Sequence, residues 1–146
     1  MVLNQDFKEF IQSLNESDVR YLIIGGYAVA FHGHPRYTKD LDVWIELSQG
    51  NAANILKALT QFGFGSLGLT ADDFLEPDQI IQLGYPPSRI DIVTTVEGVD
   101  FESCYSSRVV TTIDNVPMNF IDLENLKKNK KASGRLQDLA DLENLS

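Results

Sequence analysis

The chain has 146 residues, which suffices for one sizeable core and is too short for two ordinary domains, so we expect a single domain over 1–146. A hydrophobic fraction of 43% and a charged fraction of 23% are typical of globular proteins and argue against a disordered chain. The net charge of −9 means that the surface as a whole repels a polyanion.

The first segment of the chain predicts a helix, a strand and a second helix. Residues 5–16 carry apolar side chains at i, i+3, i+4 and i+7, the spacing of an amphipathic helix, and we expect this helix to lie on a sheet. Residues 20–24 favour a short buried strand that ends at the glycine pair Gly25 and Gly26. Residues 27–31 are compatible with a helix, so the pattern indicates strand, glycine turn and helix.

A second strand and a third helix follow a polar loop. Residues 40–47 alternate acidic and apolar side chains before turning wholly apolar, as a strand entering a core does. Residues 51–64 predict a helix, with Ser48 or Asn51 as its N-cap and Gly63 at its end.

The second half predicts more strands and then helix. Four strands are expected, at 78–85, 89–96, 108–114 and 116–122. The first two are joined across the segment PPS, and the last two form a hairpin around Asp114 and Asn115. From Leu123 the chain favours helix, interrupted near Ser133 and Gly134. This order predicts an α+β (mixed α/β) domain with one mixed central sheet flanked by helices and a C-terminal helical segment over 122–146.

Several classes of protein are disfavoured by local features. No apolar run is long enough to span a membrane and the first residues lack a secretory signal, so we expect a cytoplasmic protein without a membrane partner. Cys104 is the single cysteine, which excludes an internal disulfide and a multi-cysteine zinc site. We interpret His32 and His34 as loop histidines. Residues 127–135 hold five of the twelve basic side chains, which on their own indicate a solvated helix face.

Three aspartates in apolar surroundings are the candidate metal ligands. Asp40 and Asp42 project to the same side of their strand, because side chains alternate along a strand. Asp91 lies between two isoleucines, and it meets the first two acids if its strand pairs beside theirs. Three carboxylates favour Mg²⁺ or Mn²⁺, and two such ions about 3.5 to 4 Å apart suit phosphoryl transfer. Alternatively, Asp91 pairs with Arg36 or Arg89 and the first two acids are solvated.

The glycine pair offers a place for an anion. A strand that turns through Gly25 and Gly26 into a helix presents free backbone N–H groups, and the helix dipole adds positive potential there. We therefore expect nucleotide phosphate over the glycines. The alternative interpretation is a tight turn without a ligand.

Three stretches together resemble a known enzyme superfamily. They are GGYAVAFHGHPRYTKDLDV, Asp91 within RIDIV, and the tail NKKASGRLQDLADLENL. This combination resembles the DNA polymerase β-like nucleotidyltransferases, and more narrowly the small prokaryotic nucleotidyltransferases related to AbiEii-type toxins. The resemblance runs from about residue 20 to the end of the chain.

The resemblance implies a role for each matching position. Asp40, Asp42 and Asp91 would be the catalytic metal ligands, with Asp91 next to the attacking hydroxyl. The implied nucleotide-binding residues are Gly25, Gly26, Tyr27, Arg36, Thr38, Lys130 and Arg135.

Further positions refine the match to the family. Lys130, or its neighbour Lys131, matches a lysine that would neutralise the triphosphate. Asp138 and Asp141, which follow Arg135 in the terminal element, would orient that lysine or assist the acceptor.

Two departures from the family pattern stand out. Tyr27 follows Gly26 where many members have a serine that contacts phosphate, so backbone amides would carry more of that binding. Leu136 and Gln137 stand where related small proteins often have proline and lysine, which would remove one basic contact.

The predicted activity is metal-dependent transfer of a nucleoside monophosphate from an NTP to an acceptor hydroxyl or phosphate, with release of pyrophosphate. The acceptor would be a small molecule, a protein or an RNA, and a homo-oligomer or partner protein would complete the site. The alternative is a catalytically lapsed module that binds a nucleotide or a partner, for example one component of a toxin–antitoxin pair. A purely structural domain is a further alternative.

Overall fold

The structure is a computed structural model that describes residues 3–33, 38–84 and 88–145. Within these ranges one mixed sheet is formed by β1 (Tyr21–Ile24), β2 (Leu41–Ile45), β3 (Ile80–Leu83), β4 (Ile90–Val93), β5 (Val109–Ile113) and β6 (Val116–Phe120). Their spatial order is β3-β4-β2-β1-β6-β5. Strand β1 is antiparallel to β2 and parallel to β6, and β2 is parallel to β4.

Six α-helices accompany the sheet in the described part of the chain. They are α1 (Gln5–Glu16), α2 (Gly25–Phe31), α3 (Gln49–Phe62), α4 (Phe101–Ser106), α5 (Leu123–Ser133) and α6 (Leu136–Asn144). Short 3₁₀ turns lie at Gly65–Leu67 and Ala71–Phe74. The predicted class, an α+β fold with one mixed sheet flanked by helices and ending in helices, is therefore confirmed.

The N-cap of α3 settles one open alternative. Ser48 is the cap, and its hydroxyl accepts from the amide of Asn51 at 3.2 Å. Asn51 is buried instead, where its side chain accepts from the amide of Arg20 at 2.7 Å and donates to the carbonyl of Glu46 at 2.9 Å. It thereby ties the start of β1 to the end of β2. Gly63 ends the helix in the left-handed conformation, as predicted.

The hairpin between β5 and β6 turns at the predicted residues. Asp114 and Asn115 have φ values of 51° and 68°, the left-handed pair that suits the twist of two antiparallel strands. Helix α4 was not predicted, because its six residues are too few to show a helical repeat. The prolines of the PPS segment lie outside the described residues, although the strands on either side are antiparallel as expected.

The core is one cluster with the sheet at its centre. Its largest fully buried side chains include Phe7, Phe10, Tyr21 and Phe120, from α1, β1 and β6. Leu126 of α5 belongs to the same cluster, so the C-terminal helices share this core. No helix within the described ranges has the length and apolar character needed to cross a membrane.

Candidate functional site

The sheet register brings two of the three predicted acids side by side. Strands β2 and β4 run parallel, and Asp42 stands directly opposite Asp91. On its other side Asp42 stands opposite Ile24, the last residue of β1. The condition set by the sequence, that the third acid's strand pairs beside the first two acids, is met. The site therefore lies where β1 ends and where β2 and β4 begin.

Gly25 packs directly against the carboxylate of Asp42. An ideal Cβ placed on Gly25 would lie 2.2 Å from Asp42 Oδ2, and the φ angle of Gly25 is +67°. Both facts require glycine, because a side chain would collide with the acid and the backbone conformation is strained for other residues. The glycine pair thus has a role that its pattern did not reveal: the first glycine makes room for the aspartate.

Asp42 is the acid that the neighbouring negative charges affect most. Burial, together with the charges of Asp91 and Asp40, raises the pKa of Asp42 from 3.8 to about 6. The cations of Lys130 and Arg89 act in the opposite direction, towards ionisation. Two other acids and two basic side chains, from three separate parts of the chain, are therefore within electrostatic reach of this carboxylate.

Arg89 is the direct partner of the third acid. Its Nε lies 3.0 Å from Asp91 Oδ1 and its Nη2 lies 3.0 Å from Asp91 Oδ2, a two-bond fork. The same Nε lies 3.8 Å from Oδ2 of Asp40. Of the two pairings left open by the sequence, the one with Arg89 is therefore present. Arg36 lies outside the described residues.

Tyr27 and Thr38 connect α2 to the segment before Asp40. The ring of Tyr27 packs edge-to-face on Phe7 with centroids 5.7 Å apart, and its hydroxyl donates to the carbonyl of Thr38 at 3.5 Å. The hydroxyl of Thr38 is buried and has no hydrogen-bond partner within the described ranges. Gly26 is buried in the first turn of α2. The phosphate roles implied for these positions remain predictions.

Lys130 is the buried member of the two candidate lysines. It is 5% exposed, and its Nζ lies 3.1 Å from Asp138 Oδ1 and 3.2 Å from Asp141 Oδ2. Lys131 is exposed, so the helix face assigns the inward position to Lys130. The two acids hold the ammonium in place, and the nucleotide-binding role implied for Lys130 stays a prediction.

Asp138 accepts hydrogen bonds from other side chains as well as from the lysine. It is buried, which opposes ionisation, yet hydrogen bonds from Ser133, Arg135 and Lys130 lower its pKa to about 2. Arg135 Nε lies 2.8 Å from Asp138 Oδ2, while the arginine side chain is 81% exposed. The guanidinium is thus anchored at one edge and open to solvent on the other.

Leu136 and Gln137, which together form the second departure from the family pattern, differ in their contacts. Gln137 donates to Asp141 Oδ1 at 2.9 Å and so supports the acid that holds Lys130. Leu136 is 89% exposed and contributes nothing to this cluster.

The segment after β4 positions the helix that carries Lys130. An ideal Cβ on Gly98 would lie 2.4 Å from the Cβ of Ala132, so the loop and α5 are in close contact. The Nδ2 of Asn129 donates to the carbonyl of Glu97 at 3.1 Å. The strand that bears Asp91 is thereby connected to the lysine's helix by a short packed loop. Sequence reasoning missed this contact, for which Gly98 was the only visible signal.

The donor chemistry of the site fits a hard divalent cation. Asp42 and Asp91 present carboxylates on adjoining strands, and burial, followed by the charges of Asp91 and Asp40, raises the pKa of Asp42. Within the described ranges, however, no group of three or more His, Cys, Asp or Glu side chains is arranged to hold a metal ion. Arg89 donates to both oxygens of Asp91, so a cation of the chain itself engages this carboxylate.

One groove reaches the residue next to Arg89, and another lies away from the acids. A groove of about 760 Å³ is lined by acidic and polar residues of α1 and by Gln61, Phe62 and Phe64 at and after the end of α3, and it reaches Ser88, the neighbour of Arg89. Another, of about 540 Å³, lies at the opposite end of β2 and β4, around Trp44 and Phe101.

Comparison with known proteins supports the architecture. No protein-family model and no curated protein matches the chain. Among solved structures, the crystal structure of an antigenic nucleotidyltransferase-like protein from Paracoccidioides brasiliensis is similar with a TM-score of 0.54 and 17% identity. The match covers 98% of this chain and 77% of that one. The chain therefore has a nucleotidyltransferase-like fold.

Proposed function

We propose that residues 1–146 form one nucleotidyltransferase domain that transfers a nucleoside monophosphate from an NTP to an acceptor hydroxyl or phosphate. The observation that carries this proposal is the pairing of Asp42 with Asp91 on adjoining parallel strands, with Gly25 closed against Asp42. The raised pKa of Asp42 supports it, because an acid held where ionisation is costly is typical of functional sites.

Asp42 and Asp91 would hold divalent cations, with Asp40 completing the set. Bound Mg²⁺ or Mn²⁺, as two ions, would neutralise phosphate charge and lower the pKa of the acceptor hydroxyl. The chain's own contribution is to fix these carboxylates by sheet register, so little reorganisation is needed when charge develops.

The proposed reaction is an in-line displacement at the α-phosphorus of the NTP. The acceptor oxygen forms a bond to that phosphorus as the bond to the bridging oxygen breaks, and pyrophosphate leaves with the bonding electrons. The proton of an acceptor hydroxyl passes to a carboxylate oxygen of Asp91 or to water. Positioning and charge neutralisation would supply most of the rate.

Basic side chains would receive the triphosphate. Lys130 lies within electrostatic reach of Asp42 and is held by two acids, which fixes the direction of its ammonium. The open side of Arg135 is available for a phosphate oxygen. Backbone amides at Gly25 and Gly26 would add neutral donors, and the family resemblance implies nucleotide-binding roles for Tyr27, Arg36 and Thr38.

We propose, from the motifs given above, that the chain is related to the small AbiEii-related nucleotidyltransferases. Its acceptor would be a small molecule, a protein or an RNA, bound with the help of a partner protein or a second copy. A cytoplasmic location suits the NTP requirement.

Pyrophosphate release by the purified protein tests this proposal. Each of the four NTPs is offered with Mg²⁺ or Mn²⁺ and a panel of acceptors, and the Asp42→Asn variant is run beside the wild type. We expect release with the wild type and none with the variant. Exposed Asp72 gives a matched control, because Asp72→Asn removes the same charge away from the site.

Three results would contradict enzymatic turnover at this site. Full activity in Asp42→Asn would show that the acid is not part of the machinery. Binding of NTP and Mn²⁺ without pyrophosphate release across the panel would instead identify the lapsed binding module. A melting temperature that neither ligand raises would indicate a structural domain.

A further inference from the structure

Arg89 is bound to the carboxylate of Asp91, which the proposed metal site needs as a ligand. Arg89 and Asp91 are two residues apart on an extended segment, so their side chains share one face. The guanidinium donates to both Asp91 oxygens at 3.0 Å and approaches Asp40 Oδ2 at 3.8 Å. An internal cation therefore lies between two of the proposed metal ligands.

The ion pair between Arg89 and Asp91 offsets the free-energy cost of burying the ionised carboxylate of Asp91. The Asp91 side chain is 11% exposed, and a buried carboxylate without a partner is strongly unfavourable. A divalent cation would remove the same cost. The guanidinium and a divalent cation need the same Asp91 oxygens and repel each other. Only one of the two can therefore contact these oxygens at a time.

The arginine is free to leave without disturbing the strand. Its side chain is 33% exposed, so the guanidinium can turn into water. Its backbone is held separately, since its carbonyl accepts from the amide of Leu41 at 3.2 Å. The preceding residue, Ser88, is anchored by its hydroxyl to Asp6 at 2.6 Å. Side-chain release therefore does not require β4 to separate from β2.

We propose that Arg89 is a positioning residue that holds the Asp91 carboxylate in the metal-free protein, and that a divalent cation binds by displacing its guanidinium. The inference rests on the proposed function in that both use Asp91 as a metal ligand. It adds an internal competitor, which makes metal affinity depend on a residue that is not itself a ligand.

Mn²⁺ binding by calorimetry tests the displacement. Arg89→Gln should bind Mn²⁺ about tenfold more tightly than the wild type, because the competing two-bond contact is gone. Arg89→Lys keeps the charge but cannot form the fork, so its affinity should fall between the two. Arg108→Gln removes an exposed arginine whose guanidinium lies over the ring of Tyr105, and it should leave Mn²⁺ affinity unchanged.

The melting temperature provides a second readout that is independent of activity. Without metal, Arg89→Gln should melt below the wild type, since Asp91 loses its partner. Saturating Mn²⁺ should raise its melting temperature more than that of the wild type.

The outcomes separate the two proposals. Equal Mn²⁺ affinity in the wild type and Arg89→Gln would overturn the displacement and leave the metal site standing. A wild-type affinity in Arg89→Lys beside tighter binding in Arg89→Gln would also overturn it, because net charge alone would then explain the effect. Failure of the wild type and both Arg89 variants to bind Mn²⁺ would overturn the proposed metal-dependent function together with this inference.

Discussion

Replacing Asp42 by asparagine should make the metal-free protein more stable at neutral pH. In the folded protein the pKa of Asp42 is raised from 3.8 to about 6, chiefly by burial and then by Asp91 and Asp40. Between these two values the folded state binds the proton more tightly than the unfolded state does. The free energy of unfolding therefore falls as the pH rises through this window.

The pKa shift sets the size of the effect. A displacement of about two pH units corresponds to about 3 kcal/mol, which is the upper limit of the stability lost by pH 7. An asparagine side chain cannot ionise, so the Asp42→Asn variant avoids this loss and should melt at a higher temperature at pH 7, by at most about 8 °C. Near pH 4 the acid is largely neutral in the folded wild type, and the two proteins should be nearly equal in stability.

Urea unfolding in EDTA from pH 4.5 to pH 8 measures this difference. The fluorescence of Trp44, which lies two residues further along the strand, reports the transition. We expect the gap between variant and wild type to open as the pH rises and to level off above pH 7. Asp72→Asn should show no such opening, since that acid is exposed. A variant that is less stable than the wild type at pH 7, or a gap that does not change with pH, would refute the reasoning.

Three further predictions concern the surroundings of this acid. Lys130→Met should lower the free energy of unfolding by about 3 to 5 kcal/mol in urea titrations, since it removes the buried ammonium that contacts both Asp138 and Asp141, whereas exposed Lys131→Met should change it by less than about 0.5 kcal/mol. Gly25→Ala should cost about 2 kcal/mol or more in the same assay, from the positive φ and the collision with Asp42, and unchanged stability would contradict the close approach. Asp138 has a folded pKa of about 2, below its ordinary 3.8, so its contribution is present above pH 4 and lost as the pH falls towards 2. In an acid titration, the free energy of unfolding of Asp138→Asn should therefore not show this part of the decline seen in the wild type.

Most of the architecture follows from local pattern. The apolar spacing over 5–16 coincides with α1, and the turn residues Asp114 and Asn115 lie where the hairpin bends. These features depend on neighbours within a few residues, which a single sequence displays. Helix α4 is too short to show such a pattern, and its N-cap Asp100 is the one local signal, accepting from the amide of Ser103 at 3.1 Å.

The site was only partly predictable, because its contacts join distant parts of the chain. Alternation along the strand predicted that Asp40 and Asp42 project to the same side. The pairing of β2 with β4, which the sequence left as a condition, places Asp91 opposite Asp42. The closeness of Gly25 to Asp42 depends on β1 lying next to β2, which the sequence does not state. The choice of Arg89 over Arg36 as the partner of Asp91 was within reach, since residues i and i+2 share a strand face.

The most direct test of the account is diffraction from crystals soaked with Mn²⁺ and a non-hydrolysable NTP. We predict anomalous density for Mn²⁺ between the carboxylates of Asp42 and Asp91, the guanidinium of Arg89 turned away, and the triphosphate near Lys130. Anomalous density elsewhere, or nucleotide bound away from these acids, would contradict the claim that this corner of the sheet is a nucleotidyl-transfer site.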